Sequence, residues 1–402
     1  MADPLRREGL EAFDEVAQRH TEDGGVPGIV ALVASSDQVH VTTAGTLSVG
    51  GAPVARDSLF RIASVTKPVT GATTLALVGE GLVSLDEPID RLLPELADRR
   101  VLRRVDAPLY DTVPAERAIT VRDLLTFTFG FGASAALFSA PSRWPIVEAE
   151  HALSLCTLGP PDPAGQPAAD DWIAALGSLP LMTQPGEAWL YNTGASVLGV
   201  LLGRAAGTSL SEVYASRIFE PLGMRDTTTW TSEVGRLATA YAATPDGLEV
   251  WDAADSGKWS RPPLFEDGAA SLVSSADDLL AFARMLLHGG DGVVRPDLVE
   301  AMATSQVSAA QAADAAVFLQ DRGWGWCQSV ITDGPRRGAF GWNGGLGTTW
   351  LVDPVRDLVV IVLTQRLFTS PAPPQVHVDL QLAAYDALAG AEHSIESLAL
   401  DH

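Results

Sequence analysis

The segment FRIASVTKPVT, residues 60–70, carries one of the two lysines in a chain of 402 residues. The chain has 27 lysines and arginines together, and all but two of these are arginine. Lys67 stands three residues after Ser64, whereas the other lysine, Lys258, has Asp255 at that spacing. Residues i and i+3 are neighbours on the surface of a helix. The spacing therefore predicts that Ser64 and Lys67 lie side by side.

A serine and a lysine at this spacing can form a nucleophile and its base. A serine hydroxyl is a weak nucleophile until a neighbouring group takes its proton. A lysine amine can take that proton or hold a group that does, whereas an arginine stays protonated in proteins. Pro68 fits the first turn of a helix, so Ser64 is expected at or near a helix N-terminus. The S-x-x-K spacing by itself also fits an ordinary capped helix.

The composition indicates a folded and acidic protein. Hydrophobic residues make up 47% of the chain and charged residues 19%, and 402 residues favour two domains or one domain with a large insertion. The net charge of −23 argues against binding to nucleic acid, which needs a basic surface. The polar N-terminus lacks the apolar core of a secretory signal, and the apolar runs are too short to span a bilayer. We therefore expect a cytoplasmic protein without a membrane partner.

The two cysteines and seven histidines show no metal-site pattern. Cys156 and Cys327 are far apart in the sequence, and we expect two buried thiols. The segment EAEHALSLC holds Glu148, Glu150 and His151 near Cys156, but this spacing fits one face of a helix better than a set of ligands. We predict that the protein requires no metal and no cofactor.

Strand patterns occur towards both ends of the chain, and helix patterns dominate the middle. Residues 28–47 alternate like a β-hairpin with its turn near Ser36, and short strand-like runs follow residue 323. Helices are predicted over 6–20, from 66 to near 79 with a short second helix after it, and over 120–130, 194–207, 209–223, 275–290 and 374–388. This order predicts an α+β fold in which an antiparallel sheet, flanked by N- and C-terminal helices, carries an inserted helical domain. The predicted domains are residues 1–90 plus 266–402, and residues 91–265.

Two further segments could complete a site around Ser64. TQPGEAWLYNTGASVLG places Tyr191 just before a predicted helix, where a phenol near a lysine can act as a base. A half-buried core tyrosine fits that position equally well. FGWNGGLGTTW places Gly344, Gly345 and Gly347 in a strand-like run, which glycine weakens unless something approaches the backbone closely. A bound substrate would explain these glycines, and so would a β-bulge or a tight turn.

These segments resemble the serine β-lactamase and penicillin-binding protein superfamily, and more closely its class C-like esterases, the family VIII carboxylesterases. The motifs stand in the family's order: LFRIASVTKPVT, LVGEGLVSLDEPIDRLLPEL, ITVRDLLTFTFGFG, PGEAWLYNTGASVLGVLLG, IFEPLGMRDT, SLVSSADDLLAFARMLLHGG and GWNGGLGTTWLVDP. They cover most of residues 25–390. The resemblance implies a β-lactamase/transpeptidase-like fold and a serine hydrolase that works through an acyl-enzyme.

The resemblance also implies roles for individual residues. Ser64 would be the acylated nucleophile, Lys67 its activator and Tyr191 the base of the family's Y-x-N or Y-x-S motif. The oxyanion hole would be formed by the backbone N–H groups of Ser64 and Gly345. The residues implied in substrate binding are Trp342, Asn343, Gly344 and Asn192. Because Asn192 follows Tyr191 at once, either Thr193 takes the motif's Asn position or the segment is shifted by one residue.

Trp342 departs from the family's pattern at a position that affects which substrate can bind. Penicillin-recognising members carry a cation or histidine at this first position of the K-T-G motif, where it suits a substrate carboxylate. Tryptophan presents an apolar face instead, and with the acidity of the chain this favours a neutral small-molecule ester as substrate. The resulting prediction is a cytoplasmic carboxylesterase. Alternatives are a β-lactamase, a D-amino-acid peptidase or amidase, or an acyltransferase with the same site, and a catalytically idle binding protein on this fold.

Overall fold

The computed structural model describes residues 5–138, 140, 143–157 and 159–388. The strands are β1 (Gly28–Ala34), β2 (Val39–Gly45), β3 (Phe60–Arg61), β4 (Arg100–Leu102), β5 (Thr112–Pro114), β6 (Ala240–Thr244), β7 (Gly247–Asp252), β8 (Val273–Ser274), β9 (Gly323–Trp324), β10 (Ser329–Val330), β11 (Phe340–Gly344), β12 (Thr348–Asp353) and β13 (Leu358–Thr364). The helices are α1 (Arg7–Glu22), α2 (Thr66–Gly79), α3 (Val121–Leu125), α4 (Pro145–Ala152), α5 (Ala169–Ser178), α6 (Thr193–Ala206), α7 (Leu210–Tyr214), α8 (Glu220–Leu222), α9 (Ala276–Leu287), α10 (Pro296–Met302), α11 (Ala309–Asp314), α12 (Ala316–Leu319) and α13 (Gln375–Asp386).

A seven-stranded antiparallel sheet runs in the order β2-β1-β13-β12-β11-β10-β9. Both faces of β1 are buried, and successive side chains of a strand point to opposite faces. Val30 and Leu32 pack in a core that includes α2 and α9, whereas Ile29 and Ala31 pack in a second core with α1 and α13. The predicted α+β fold, an antiparallel sheet flanked by N- and C-terminal helices, is confirmed.

Helix α2 lies between this sheet and the helical middle of the chain. Every residue from Thr66 to Leu77 is buried, and α2 contacts α6, α7 and α10 as well as β11. The buried hydroxyls of Thr70, Thr73 and Thr74 donate hydrogen bonds to carbonyls of the preceding helical turn, so this helix can be buried on all sides. Pro68 occupies the first turn, as predicted. The Ser64 turn directly precedes α2 and is therefore held by the core.

The helix predicted over 120–130 is shorter than expected. Thr120 and Asp123 form a capping box at its start, but the helix ends at Leu125. Phe127 then takes a φ of 59°, and its carbonyl accepts a hydrogen bond from the Leu190 N–H at 2.8 Å. Tertiary backbone pairing therefore replaces the last turns of this helix.

Two other predicted helices also differ in detail. The helix expected over 209–223 widens into a π-helical turn at Ala215–Phe219, just before Pro221, which cannot donate a backbone hydrogen bond. The short helix expected after Gly81 consists of two 3₁₀ turns, Ile89–Arg91 and Pro94–Leu96.

The seven-stranded sheet draws its strands from residues 28–45 and 323–364. The proposed domain boundaries near residues 90 and 266 stay a prediction. In the part of the chain that the structure describes, no helix has both the length and the apolar character of a transmembrane span.

Candidate active site

Ser64 lies in a 3₁₀ turn, Ala63–Val65, between β3 and α2. Ala63 has a φ of 43°, in the left-handed region that residues other than glycine seldom adopt. This strained turn places Ser64 at the N-terminal end of α2, and both Ala63 and Ser64 line a cavity. Backbone strain of this kind clusters at active sites.

Two proton-transfer groups contact the Ser64 hydroxyl. Lys67 is fully buried, and its Nζ donates hydrogen bonds to Ser64 Oγ at 2.9 Å and to the Ala269 carbonyl at 3.0 Å. The Tyr191 hydroxyl donates to the same Oγ at 2.9 Å. Lys67 Nζ also lies 4.7 Å from the centre of the Tyr191 ring. The structure thus brings together the three residues predicted to be catalytic, although Tyr191 is 127 residues from Ser64.

Trp342 does more than present an apolar face. Its indole N–H donates a hydrogen bond to the Tyr191 oxygen at 3.0 Å, so it acts on the predicted base directly. The edge-to-face contact of Trp324, with ring centres 4.9 Å apart, supports the indole. On its other side Tyr191 stacks on Phe318 with ring centres 4.9 Å apart. Sequence reasoning named Trp342 as a cavity residue but gave no signal for this hydrogen bond.

Asn192, one of the residues implied in substrate binding, lines the cavity. Its backbone has φ 81° and ψ −62°, and its side-chain Nδ2 donates to the Thr157 carbonyl at 3.0 Å. Thr193, in contrast, is fully buried at the start of α6 and does not line the cavity. Asn192 therefore lies beside Tyr191 in the cavity wall and Thr193 does not, while the role of Tyr191 and the register of the motif stay predictions.

The end of β11 forms the opposite wall. Asn343 and Gly345 line the cavity, but Gly344 does not. A Cβ on Gly344 would lie 2.2 Å from the carbonyl oxygen of Ile62, so this glycine lets the strand pack closely against the backbone before Ser64. The Gly345 position has open space on its Cβ side. The glycine-rich run thus serves both packing and the shape of the cavity.

The cavity has a volume of about 500 Å³. Beyond the predicted site residues, its walls come from Ala63, Ala133, Leu137, residues 156–161 apart from 158, and residues 367–371, together with Phe318, Leu346, Asp267 and Ala270. The sequence did not identify Phe318, Asp267 or the 367–371 segment, because loops and short helices bring them there from distant parts of the chain.

Asp267 is a buried carboxyl in this wall. Its Oδ1 accepts a hydrogen bond from the Ala269 N–H at 2.9 Å. Burial raises the pKa of the Asp267 carboxyl, while hydrogen bonds from Ser196 and Ala269 and the charge of Lys67 act in the opposite direction. This turn also supplies the carbonyl that Lys67 contacts.

The two cysteines are free but differ from expectation in their burial. Cys327 is buried, whereas Cys156 is partly exposed and lines the cavity. Burial, with the nearby carboxylates, raises the pKa of the Cys156 thiol to about 11, which disfavours the reactive thiolate.

Glu150 on α4 accepts hydrogen bonds from the Thr157 N–H and hydroxyl at 2.7 and 2.9 Å, so it holds the cavity wall. Within the described ranges, no group of His, Cys, Asp and Glu is arranged to hold a metal ion.

Comparisons with known proteins agree with this geometry. A family model described as Beta-lactamase matches residues 13–384. Protein Rv1367c of Mycobacterium tuberculosis is 38% identical over 338 residues, which cover 79% of each chain. Esterase EstB of Burkholderia gladioli is 29% identical over 403 residues, which cover 94% of each chain. Among solved structures, EstCE1, a hydrolase with promiscuous acyltransferase activity, has a TM-score of 0.78 at 24% identity and covers 94% of this chain and 99% of its own.

Proposed function

The chain belongs to the beta-lactamase family, and on that premise we propose that it is a serine hydrolase that cleaves carboxylic esters through an acyl-enzyme at Ser64. One observation carries the proposal: a single hydroxyl oxygen lies 2.9 Å from both Lys67 Nζ and the Tyr191 hydroxyl, at the wall of an open cavity. A serine so placed has two groups within proton-transfer distance, as activation of a nucleophile requires. The proposed partner is a small-molecule ester.

Acylation would begin with the attack of Ser64 Oγ on the ester carbonyl carbon, while its proton passes to the Lys67–Tyr191 pair. The Trp342 N–H donated to the Tyr191 oxygen stabilises negative charge on that oxygen. Charge on the carbonyl oxygen would be met by the N–H groups of Ser64 and Gly345, each such donor contributing about 3 kcal/mol. The bond to the alcohol oxygen then breaks, and the alcohol leaves with the transferred proton.

Deacylation would repeat these steps with water as the nucleophile. Water gives its proton to the same pair and attacks the acyl carbon, and the bond from that carbon to Ser64 Oγ breaks. The acid leaves, and Ser64 regains its proton. The sequence of steps uses protein groups and water alone.

The charge of the cavity favours esters over β-lactams. Among the described residues that line it, none is Lys, Arg or His, so a substrate carboxylate would meet no cation there. Arg366 follows β13, but its Nη1 donates to the Gly25 carbonyl at 2.6 Å and the residue does not line the cavity. Trp342 stands where penicillin-recognising members carry a cation or histidine.

Acyl transfer to an alcohol is the second candidate, because an alcohol can attack the acyl-enzyme in place of water. The supporting observation is a cavity of about 500 Å³ with Leu346, Leu367 and Phe368 in its wall, room for an apolar acceptor beside the acyl group. EstCE1, of the same fold, is a hydrolase with promiscuous acyltransferase activity.

The test is a panel of short p-nitrophenyl esters, a D-alanine amide and the cephalosporin nitrocefin, with and without an added alcohol. We expect ester hydrolysis to dominate, and Ser64→Ala to lower it more than about a thousandfold. Ser370→Ala is the matched control, because Ser370 lines the cavity but bonds elsewhere. A fluorophosphonate should label Ser64, as mass spectrometry will show. Unchanged turnover in Ser64→Ala, or no labelling, would refute the proposal and favour an idle binding protein.

A further inference from the structure

We propose that this site prefers esters that carry a positive charge over uncharged esters of the same shape, and that Asp267 is the residue that selects them. The proposal rests on the ester chemistry proposed for Ser64 and goes beyond it, because it names the charge of the substrate. It follows from the distribution of charged and aromatic groups around the cavity.

Among the described residues that line the cavity, Asp267 is the only Asp, Glu, Lys, Arg or His. Lys67 does not line it: its side chain is fully buried, and its Nζ is engaged by Ser64 and Ala269. Lys258, the other lysine, pairs with Asp162 at 3.3 Å and is not part of the lining. A substrate therefore meets a carboxyl and no cation on the cavity surface.

Aromatic rings supply a second attraction for a cation. Phe318, Trp342 and Phe368 line the same cavity as Asp267, whereas the Tyr191 ring already contacts Lys67 and Phe318. The face of an aromatic ring attracts an ammonium group, and such rings beside a carboxyl form the kind of surface that binds quaternary ammonium ligands. An ammonium ester would thus be held by rings and carboxyl together, whereas its uncharged counterpart would gain contact area alone.

The Asp267 carboxyl is held in a fixed orientation. Only 5% of the residue is exposed, and its carboxyl accepts hydrogen bonds from the Ala269 N–H and from Ser196. The charged or titratable groups that face it are Lys67 on α2, Cys156 in the cavity wall and Tyr214 on α7. A carboxyl that hydrogen bonds already hold, on a residue that lines the cavity, can take a cation without first losing side-chain freedom.

The ionisation of Asp267 links this preference to pH. Burial raises the pKa of its carboxyl, so at low pH the group is neutral and offers a cation little. As pH rises through that pKa the carboxylate forms, and the preference for a cationic ester should increase. Lys67 and Tyr191 act on every ester alike. Their pH dependence therefore cancels in the ratio of kcat/KM for a cationic ester to that for its neutral isostere.

A purely structural role is the competing explanation for Asp267. Its hydrogen bond to Ala269 shapes the turn whose carbonyl contacts Lys67, so its loss could disturb catalysis in general. That role would slow cationic and neutral esters equally. Asp267→Asn is the informative change, because an amide can keep a hydrogen bond from the Ala269 N–H while removing the charge.

The experiment measures kcat/KM for two matched pairs of esters. In one pair the alcohol carries the charge: butyrylcholine and the ester with carbon in place of its quaternary nitrogen. In the other the acyl group carries it: the p-nitrophenyl ester of trimethylammoniobutyrate and its carbon isostere. We expect a cation-to-neutral ratio of about ten or more in one pair, rising with pH, and a ratio near one, independent of pH, in Asp267→Asn. Asp255→Asn, which removes an exposed carboxylate outside the cavity, should keep the wild-type ratio.

Each other outcome is decisive. If neutral esters are cleaved in a Ser64-dependent way without a cation preference, or if Asp267→Asn keeps the preference, the inference is wrong and the proposed function stands. If no ester is cleaved, the proposed function fails, and calorimetry on Ser64→Ala decides the inference: butyrylcholine should bind more tightly than its isostere. If Asp267→Asn does not fold, the pH dependence of the wild-type ratio decides, because a ratio that does not change with pH contradicts a role for this carboxyl.

Discussion

The two lysines of this chain make the same aromatic contact in opposite surroundings. Lys67 lies 4.7 Å from the centre of the Tyr191 ring and is fully buried. Lys258 lies 4.5 Å from the centre of the Trp251 ring, with 29% of its side chain exposed, and pairs with Asp162. Residue type and ring contact are shared, so burial and hydrogen-bond partners are what distinguish them.

Neither lysine lines the cavity, but each contacts residues of a different part of its wall. We call Ser64, Lys67, Tyr191 and Trp342 the floor, whose hydrogen bonds are all between 2.9 and 3.0 Å. We call residues 156–162, apart from 158, the rim, which Lys258 contacts through Asp162. The floor is fixed by core packing, and its short distances suit the proton transfer that we propose, whereas the rim is held by a partly exposed ion pair that contributes little free energy. Chemistry should therefore depend strongly on the floor and weakly on this ion pair.

The comparison is tested most severely by Lys67→Arg. The positive charge stays, but an arginine does not give up its proton and its larger head group has no room in a fully buried position. We expect kcat/KM for a neutral ester to fall about a thousandfold, the range of general acid–base catalysis. Lys258→Arg is the matched control and should stay within about twofold of wild type. If both variants kept their activity, Lys67 would not be needed as a proton acceptor.

Tyr191→Phe removes the second proton-transfer group from the floor. The ring stack on Phe318 can remain, so the loss falls on the hydroxyl that contacts Ser64. We expect a drop of about a hundredfold in kcat/KM, measured with a neutral p-nitrophenyl ester, with little change in thermal unfolding. Tyr110→Phe, at a residue 87% exposed, provides the control. A drop smaller than about fivefold would assign the base role to Lys67 alone.

The sequence predicted the floor where geometry is local. Ser64 lies in the 3₁₀ turn that leads directly into α2, and Lys67 lies in the first turn of that helix, so the spacing of three residues brings the pair together. Tyr191 was reached through its motif, because no local rule joins residues 127 positions apart. The fold followed in the same way from strand patterns at the two ends of the chain.

The features that the sequence did not predict depend on contacts between segments that are far apart in the chain. The helix at 120 ends early because Phe127 pairs with Leu190, and the direction of the Trp342 N–H depends on the packing of β11 against Tyr191. Asp267 enters the cavity through a turn that has no pattern of its own. These are contacts between segments without local periodicity, so neither propensity nor spacing reports them.

Trp342→Phe tests whether the indole is part of the floor's chemistry. The aromatic surface is largely kept, but the N–H donated to the Tyr191 oxygen is lost. A hydrogen bond to a group that bears charge contributes about 1.5–3 kcal/mol, so we expect a fall of at least about tenfold in kcat, with a smaller change in KM. Trp251→Phe, which alters the ring under Lys258, should leave kcat unchanged. A change confined to KM would make Trp342 a substrate contact only.

Asp162→Asn should have the smallest effect. Lys258 Nζ lies 3.3 Å from the Asp162 carboxylate without forming a hydrogen bond, and both side chains are partly exposed. We therefore expect the free energy of unfolding to change by less than about 1 kcal/mol in denaturant titrations, and kcat/KM for a small ester to stay within about twofold of wild type. Added salt should reduce the difference between variant and wild type further, because it screens exposed charges. A tenfold loss of kcat/KM on a small ester would mean that the ion pair at the rim positions the floor. Both lysines would then support catalysis, and they would differ only in their distance from Ser64.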